Sequence, residues 1–184
     1  MEHSNKNIKP TLLDHAILGL ISTAPMSGYA IRKVFETTAM GNYSSSPGTI
    51  YPALKRLQKL RLVEKKKSEE DDKNKFFITS QGKPIFKAWL TKPLDQNDVA
   101  RKLDEILLRF GFMDTLLNKQ EKVVFLESLC DLLTDYTGQL EAYHKREYDN
   151  LPLHGRLAFE HGIESYKTTL KWCEKALIIF TKND

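Results

Sequence analysis

Two runs of apolar residues at seven-residue repeat restrict this chain more than any other feature. Leu126, Leu129, Leu133, Tyr136, Leu140 and Tyr143 follow one another at gaps of 3, 4, 3, 4 and 3. After a break at Asn150-Leu151-Pro152, the pattern resumes in Phe159, Ile163, Tyr166, Leu170, Cys173, Leu177 and Phe180. Apolar side chains at that spacing line one seam of a helix, and such a seam is stable against another helix. Two long helices around a tight turn make an antiparallel hairpin. Thirty helical residues reach ~45 Å, more than a compact core needs, and one hairpin leaves apolar surface uncovered. The pattern therefore predicts a homodimer held through Leu126, Leu129, Leu133, Tyr136, Leu140, Ile163, Tyr166, Leu170, Cys173 and Leu177.

The first half is built differently. Leu13, Ala16, Ile17, Leu20 and Ile21 predict an amphipathic helix over about residues 10–23. Ser27 caps a second helix carrying Ile31, Val34 and Phe35 on one face. After a loop at residues 41–46, Ser46-Pro47 opens a third helix with Ile50, Ala53, Leu54, Leu57 and Leu60 inward. Pro52 predicts an irregular start for it. Residues 62–67 and 75–78 read as the strands of a hairpin around a charged turn. Thr79 then caps a fourth helix running to Trp89-Leu90, and Pro93 with residues 95–98 reads as a linker. A connecting helix is marked by Leu103, Ile106, Leu107 and Phe110. Three helices, a hairpin and a helix predict a mainly α chain. It has a winged helix-turn-helix with a two-stranded wing over residues 1–92 and an α-helical dimerisation domain over 93–184.

Charge follows the same division. The net charge is +4, but residues 1–90 carry fifteen Lys and Arg against eight Asp and Glu, or +7, leaving −3 for the rest. A basic half predicts a polyanionic partner, double-stranded DNA before a membrane surface. No apolar run reaches the ~20 residues of a membrane span, and the start of the chain has no secretory signal pattern. A cytoplasmic protein is expected.

Three segments resemble the PadR family of bacterial transcription regulators. They are residues 17–31, ending in Met26-Ser27-Gly28-Tyr29-Ala30-Ile31, Ser46-Pro47-Gly48-Thr49-Ile50-Tyr51-Pro52-Ala53-Leu54-Lys55-Arg56-Leu57, and Phe77-Ile78-Thr79-Ser80-Gln81-Gly82 leading to Trp89-Leu90. The long acidic half is similar to the subgroup with an extended helical C-terminal domain, shared with virulence activators of the AphA type. Two departures stand out: Arg61 where the family commonly has glycine, and Phe77 where tyrosine is usual. The resemblance implies a dimeric repressor of an operator, relieved by a small aromatic effector of phenolic kind. An activator of the same fold and a coiled-coil protein-interaction adaptor are the alternatives.

DNA recognition needs a rigid element that fits the major groove, flanked by cations that meet phosphates. Ser45, Ser46, Thr49 and Tyr51 are the candidates for base edges or phosphate oxygens. Lys55, Arg56 and Lys59 on the third helix, and Lys65, Lys66, Lys67 and Lys75 on the wing, are the candidates for backbone charge. Gly28 is expected to allow close packing of the second helix, and Gly48 close backbone approach at the third. Neither belongs to a phosphate-cradling glycine pattern. The five histidines show no metal-ligand spacing, and Cys130 and Cys173 read as buried thiols far apart in sequence. No catalytic residue, metal or cofactor is expected. Trp89, Trp172 and Phe110 are read as packing residues, with a flat-ligand pocket as the alternative.

Overall fold

Thr11 opens the first helix through a capping box. Its hydroxyl accepts the Asp14 N–H at 3.3 Å while the Asp14 carboxylate accepts the Thr11 N–H at 2.8 Å. The computed structural model describes residues 9–44, 46–69 and 73–182; Ser45 and the hairpin tip at 70–72 lie outside the described residues. The chain divides into two units, residues up to Leu90 with Gly111–Leu116, and Thr91–Phe110 with Leu117 onward.

In the first unit α1 (Leu12–Thr23) buries Ala16, Ile17, Leu18 and Ile21. Helix α2 (Gly28–Thr37) is capped by Ser27, whose hydroxyl accepts the Ala30 N–H at 3.1 Å, and it buries Ile31 and Phe35. Polar composition reads as loop beyond it, but Thr38 caps a 3-10 turn over Ala39–Tyr43. A second 3-10 turn, Pro47–Thr49, leads into α3 (Ile50–Lys59), which buries Ile50, Ala53, Leu54 and Leu57. Pro52 falls in the first turn of α3, where its missing N–H leaves no hydrogen bond unmade.

The end of α3 explains why glycine suits position 61. Arg61 has φ of 58°, in the left-handed region. Its N–H donates to Gln58 O at 2.9 Å, and the Leu62 N–H donates to Leu57 O at 3.0 Å. This is the paired closure of a Schellman motif. Leu62, expected in the strand, is used by this cap, so β1 is Val63–Lys67. It pairs antiparallel with β2 (Asn74–Ile78), with Val63 opposite Ile78 and Lys65 opposite Phe76. Met26 exchanges two backbone hydrogen bonds with Phe76, at 3.3 and 2.8 Å, tying the α1–α2 connection to the wing. Thr79 Oγ1 accepts the Gly82 N–H at 2.9 Å at the head of α4 (Gly82–Leu90). Phe86 of α4 is fully buried and meets Phe112 edge-on at 6.3 Å, while Trp89 stacks on His15 at 4.5 Å.

In the second unit the expected linker holds a helix. Asp95 caps α5 (Gln96–Arg101) by accepting the Asp98 N–H at 2.8 Å. Asp98 is itself buried and pairs with Lys102 at 2.9 Å. Helix α6 (Leu103–Gly111) follows, and then α7 (Lys119–Glu147), whose Asn118 and Glu121 form a second capping box. A 3-10 turn over Tyr148–Asn150 reverses the chain into α8 (Leu153–Lys182). The pairs Cys130 with Cys173, Tyr136 with Tyr166, and Tyr143 with Phe159 set α7 and α8 antiparallel. Their lengths of 29 and 30 residues correspond to ~45 Å each. Among the described residues no helix is long and apolar enough to cross a membrane.

Candidate nucleic-acid interface

Helix α3 divides its polar residues by helical spacing. Tyr51, Lys55 and Gln58 share one side, since positions four and seven apart overlie one another. They line a groove with Tyr29 at the start of α2, Lys65 of β1 and Asn74 and Phe76 of β2. Tyr51 is 45% exposed and Tyr29 69% exposed, so both phenols are presented to solvent. Gly28 makes the arrangement possible: a Cβ there would stand 3.0 Å from Tyr51 Cε1. Gly48 has ordinary room, with Ser46 Oγ at 3.6 Å from a notional Cβ, so nothing in the chain itself requires glycine there.

Arg56 lies one residue beyond Lys55 and turns the other way. Its Nε and Nη2 donate to the two carboxylate oxygens of Asp14 at 2.8 and 2.7 Å, and Nη2 also reaches Thr11 Oγ1 at 3.3 Å. Asp14 is fully buried, so the guanidinium neutralises a core carboxylate that otherwise has the Thr11 N–H and hydroxyl as donors. The hydrogen bond to Asp14, more than its charge, raises the Arg56 pKa further above the ordinary arginine range. In this structure the Arg56 guanidinium, expected at phosphate, ties α1 to α3.

The lysine run on the wing is divided by the two-residue period of a strand. Lys65 and Phe76 face the groove with Tyr51, whereas Lys66, Lys75 and Phe77 line the opposite side of the hairpin with Pro25. Lys66 Nζ pairs with Glu64 at 3.1 Å and sits 4.7 Å over the Phe77 ring. Lys67 ends β1, exposed. Lys55, Lys59 and Lys65 make no ion pair among the described residues. Thr49 Oγ1 donates to Ser46 O at 2.7 Å and shares a 2.8 Å hydrogen bond with Ser44, which ties the loop entering α3. Ser46 is exposed beside it, and Ser45 lies outside the described residues. Tyr29, Gln58 and Asn74 were not marked by the sequence pattern; each comes to the groove from a different element or turn.

The residues expected to join two copies are mostly used within one. Leu126, Leu129, Leu133, Ile163 and Cys173 are buried in the α7–α8 hairpin, because the reversal after α7 brings the two seams against each other. Tyr136, Leu140, Tyr166, Leu170 and Leu177 are half-buried. The large apolar residues left outside are Val124, Tyr143, Tyr148, Leu153, Leu157, Trp172, Ile178 and Ile179. Trp172 meets Phe110 edge-on at 5.2 Å, and Phe110 also meets Phe125 and Phe180. Arg109 is buried near this cluster, donates to Lys92 O and lies 5.1 Å from the Phe125 ring centre. Desolvation lowers its pKa from the ordinary arginine value. Among the described residues no group of His, Cys, Asp and Glu could hold a metal ion.

A third helix carrying outward phenol and lysine beside a two-stranded wing defines a winged helix-turn-helix of the DNA-binding class. Residues 17–88, which hold the winged helix, match the model of the transcriptional regulator PadR-like family. The negative transcriptional regulator PadR of Bacillus subtilis (strain 168) is 22% identical over 182 residues, covering 94% of this chain and 99% of the relative. The transcriptional regulator YqjI of Escherichia coli (strain K12) is 39% identical over 66 residues, 36% of this chain and 31% of that protein. Crystal structures of the B. subtilis protein, in complex with operator DNA and with p-coumaric acid, align at TM-scores of 0.39 and 0.41. Both are 22% identical and cover 92% of this chain and 99% of theirs.

Proposed function

We propose that the chain is a homodimeric, cytoplasmic repressor that reads operator DNA through the α2–α3–wing groove. The observation that carries this reading is the convergence of Tyr51, Lys55 and Gln58 of α3 with Lys65 of β1 and Tyr29 of α2. Lys55, Lys59 and Lys65 meet phosphates; Tyr51, the Ser46–Thr49 turn and Ser45 meet base edges or sugar-phosphate oxygens. Lys66, Lys67 and Lys75 follow the flank of the wing. Two copies joined through the second unit present two such readers to a two-fold operator, and tethering raises the effective concentration of the second reader once the first is bound.

The apolar residues left open on α7 and α8, Val124 on the first and Trp172, Ile178 and Ile179 on the second, support dimerisation in place of the seam residues already enclosed. The effector is a small anionic aromatic molecule acting on the second unit, where Arg109 lies by Phe125 and Phe110 joins Phe125 to Trp172. p-Coumaric acid, the ligand of the B. subtilis relative, is the first to test.

Operator fragments selected from genomic DNA and titrated at several salt concentrations test the reading. Lys55→Ala and Lys65→Ala should each flatten the slope of log affinity against log salt by about 0.9. Tyr51→Ala should change discrimination between sequences by ~1–3 kcal/mol if its phenol reads a base edge. Trp172→Asp with Ile179→Asp should give a monomer by light scattering. Unchanged slopes in both lysine variants would remove the groove from the interface, and transcription that rises with the protein would make it an activator.

A further inference from the structure

Cys130 of α7 and Cys173 of α8 are 43 residues apart in the chain, yet their sulfurs stand 2.7 Å from one another across the hairpin. Both are free thiols. They differ in access. Cys130 is partly open, while Cys173 is fully buried and donates to Leu126 O at 3.4 Å. A buried thiol fills a helical seam as a small apolar residue does, and two in contact add a reactive chemistry that leucine or alanine would not. We propose that Cys130 and Cys173 form a peroxide-responsive dithiol, oxidised to a disulfide that bonds α7 to α8 within one chain.

The chemistry balances with hydrogen peroxide as the oxidant. The Cys130 thiolate attacks one peroxide oxygen, the O–O bond breaks, and the departing hydroxide takes up a proton as water, leaving Cys130 as a sulfenic acid. Cys173 gives up its proton and attacks the Cys130 sulfur. The S–S bond forms, the S–O bond breaks and a second water leaves. Two thiols lose two electrons and two protons, and one peroxide is reduced to two waters. Access makes Cys130 the first sulfur oxidised, and contact makes Cys173 the resolving one, before a second peroxide can drive Cys130 to the sulfinic acid.

The surroundings set a high threshold. Burial raises both thiol pKa values; for Cys130 the hydrogen bond with Cys173 offsets part of that rise, while the carboxylates of Glu174 and Asp131 add to it. Few thiolates are then present at neutral pH, so the dithiol persists at low oxidant and converts under sustained exposure. A metal is a poorer occupant, because no third ligating group joins the two sulfurs among the described residues.

The full chain, reduced and freed of reductant, is treated with hydrogen peroxide and followed by thiol titration and intact mass. Both free thiols should disappear together, the mass should fall by two hydrogens, and peptide mapping should recover the 130–173 link, reversed by dithiothreitol. The oxidised chain should migrate as a single chain on a non-reducing gel and unfold at a higher temperature than the reduced one. Cys173→Ser should instead trap Cys130 as a sulfenic acid that dimedone labels, and Cys130→Ser should leave Cys173 unreacted. Circular dichroism establishes that each variant is folded. A link between two chains, a sulfinic acid on Cys130 beside a free Cys173, or two thiols untouched by peroxide would each overturn the proposal.

Discussion

Replacing Arg56 by alanine separates two roles that a cation on α3 can have. The Asp14 carboxylate is fully buried, and Arg56, 32% exposed, supplies it with two charge-assisted hydrogen bonds at 2.7 and 2.8 Å. The Arg56→Ala chain would keep that carboxylate in the core with the Thr11 N–H and hydroxyl as its remaining donors. Breaking a buried pair by removing one partner costs about 3–5 kcal/mol. The two Thr11 donors and entry of water into the half-open Arg56 position place this case at the low end, ~3 kcal/mol. With a urea dependence of ~2 kcal/mol per molar, the unfolding midpoint of the first unit should fall by about 1.5 M. Arg56→Lys retains charge but not the planar fork and should recover only part of the loss. Arg56→Ala with Asp14→Asn removes the stranded charge and should be less destabilised than Arg56→Ala alone. Urea titration by circular dichroism reads all three. A midpoint unchanged by Arg56→Ala, together with a salt slope of DNA binding flatter by about 0.9, would refute the tie and restore Arg56 as a phosphate ligand.

Arg61→Gly should stabilise the first unit by about 0.5–1 kcal/mol, because a left-handed residue costs ~1–2 kcal/mol with a side chain while glycine loses ~0.5–1 kcal/mol through chain entropy; a thermal melt no higher than the parent's would count against it. Asp98 has its pKa held below the ordinary 3.8, first by the Lys102 hydrogen bond and then by the charges of Lys92 and Lys102, against a desolvation that opposes them. Its folded pKa lies below its unfolded one, so its stabilisation is present above about pH 4 and is lost as pH falls through the folded value. Acid titration of helicity should show a smaller acid-induced loss in Asp98→Asn than in the parent. Gly28→Ala should displace the Tyr51 ring and weaken operator affinity with little change in melting temperature; equal affinity would show that the position of Tyr51 is not critical.

The elements legible in the sequence are those specified within a turn or two. Ser27 and Thr79 cap the helices that follow them, the apolar positions of α1 and α3 lie inward as their spacing requires, and the two heptad seams became α7 and α8. What escaped the sequence is specified at a distance. Helix α5 is hidden by the polar residues 95–98, of which Asp95 is the cap and Asp98 is buried against Lys92 and Lys102. Met113 is buried and Phe112 meets Phe86, so Gly111–Leu116 serves the first unit although it follows α6. A chain cut after Leu90 would lose that covering, which makes residues 1–90 alone an unsafe stand-in for the DNA-binding unit. The contact of Cys130 with Cys173 depends on how far α8 slides along α7, which heptad spacing restricts without naming the opposing pair.

The lysines and arginines of the first unit are not equally open on its surface, and the two causes are separable. One is a competing carboxylate: Asp14 takes Arg56, and Glu64 pairs with Lys66. The other is backbone geometry, since the pleat of β1 sends Lys65 to the groove and Lys66 to the far side of the hairpin. Together they leave Lys55, Lys59 and Lys65 as the cations without an ion pair among the described residues on α3 and β1. If these three are the phosphate contacts of one copy, a dimer neutralises about six phosphates. Its affinity should then vary with salt at a slope near −5, from about −0.9 for each contact. A slope near twice that value would mean that Lys66, Lys67 and Lys75 also bind, and that the Glu64 pair opens on DNA.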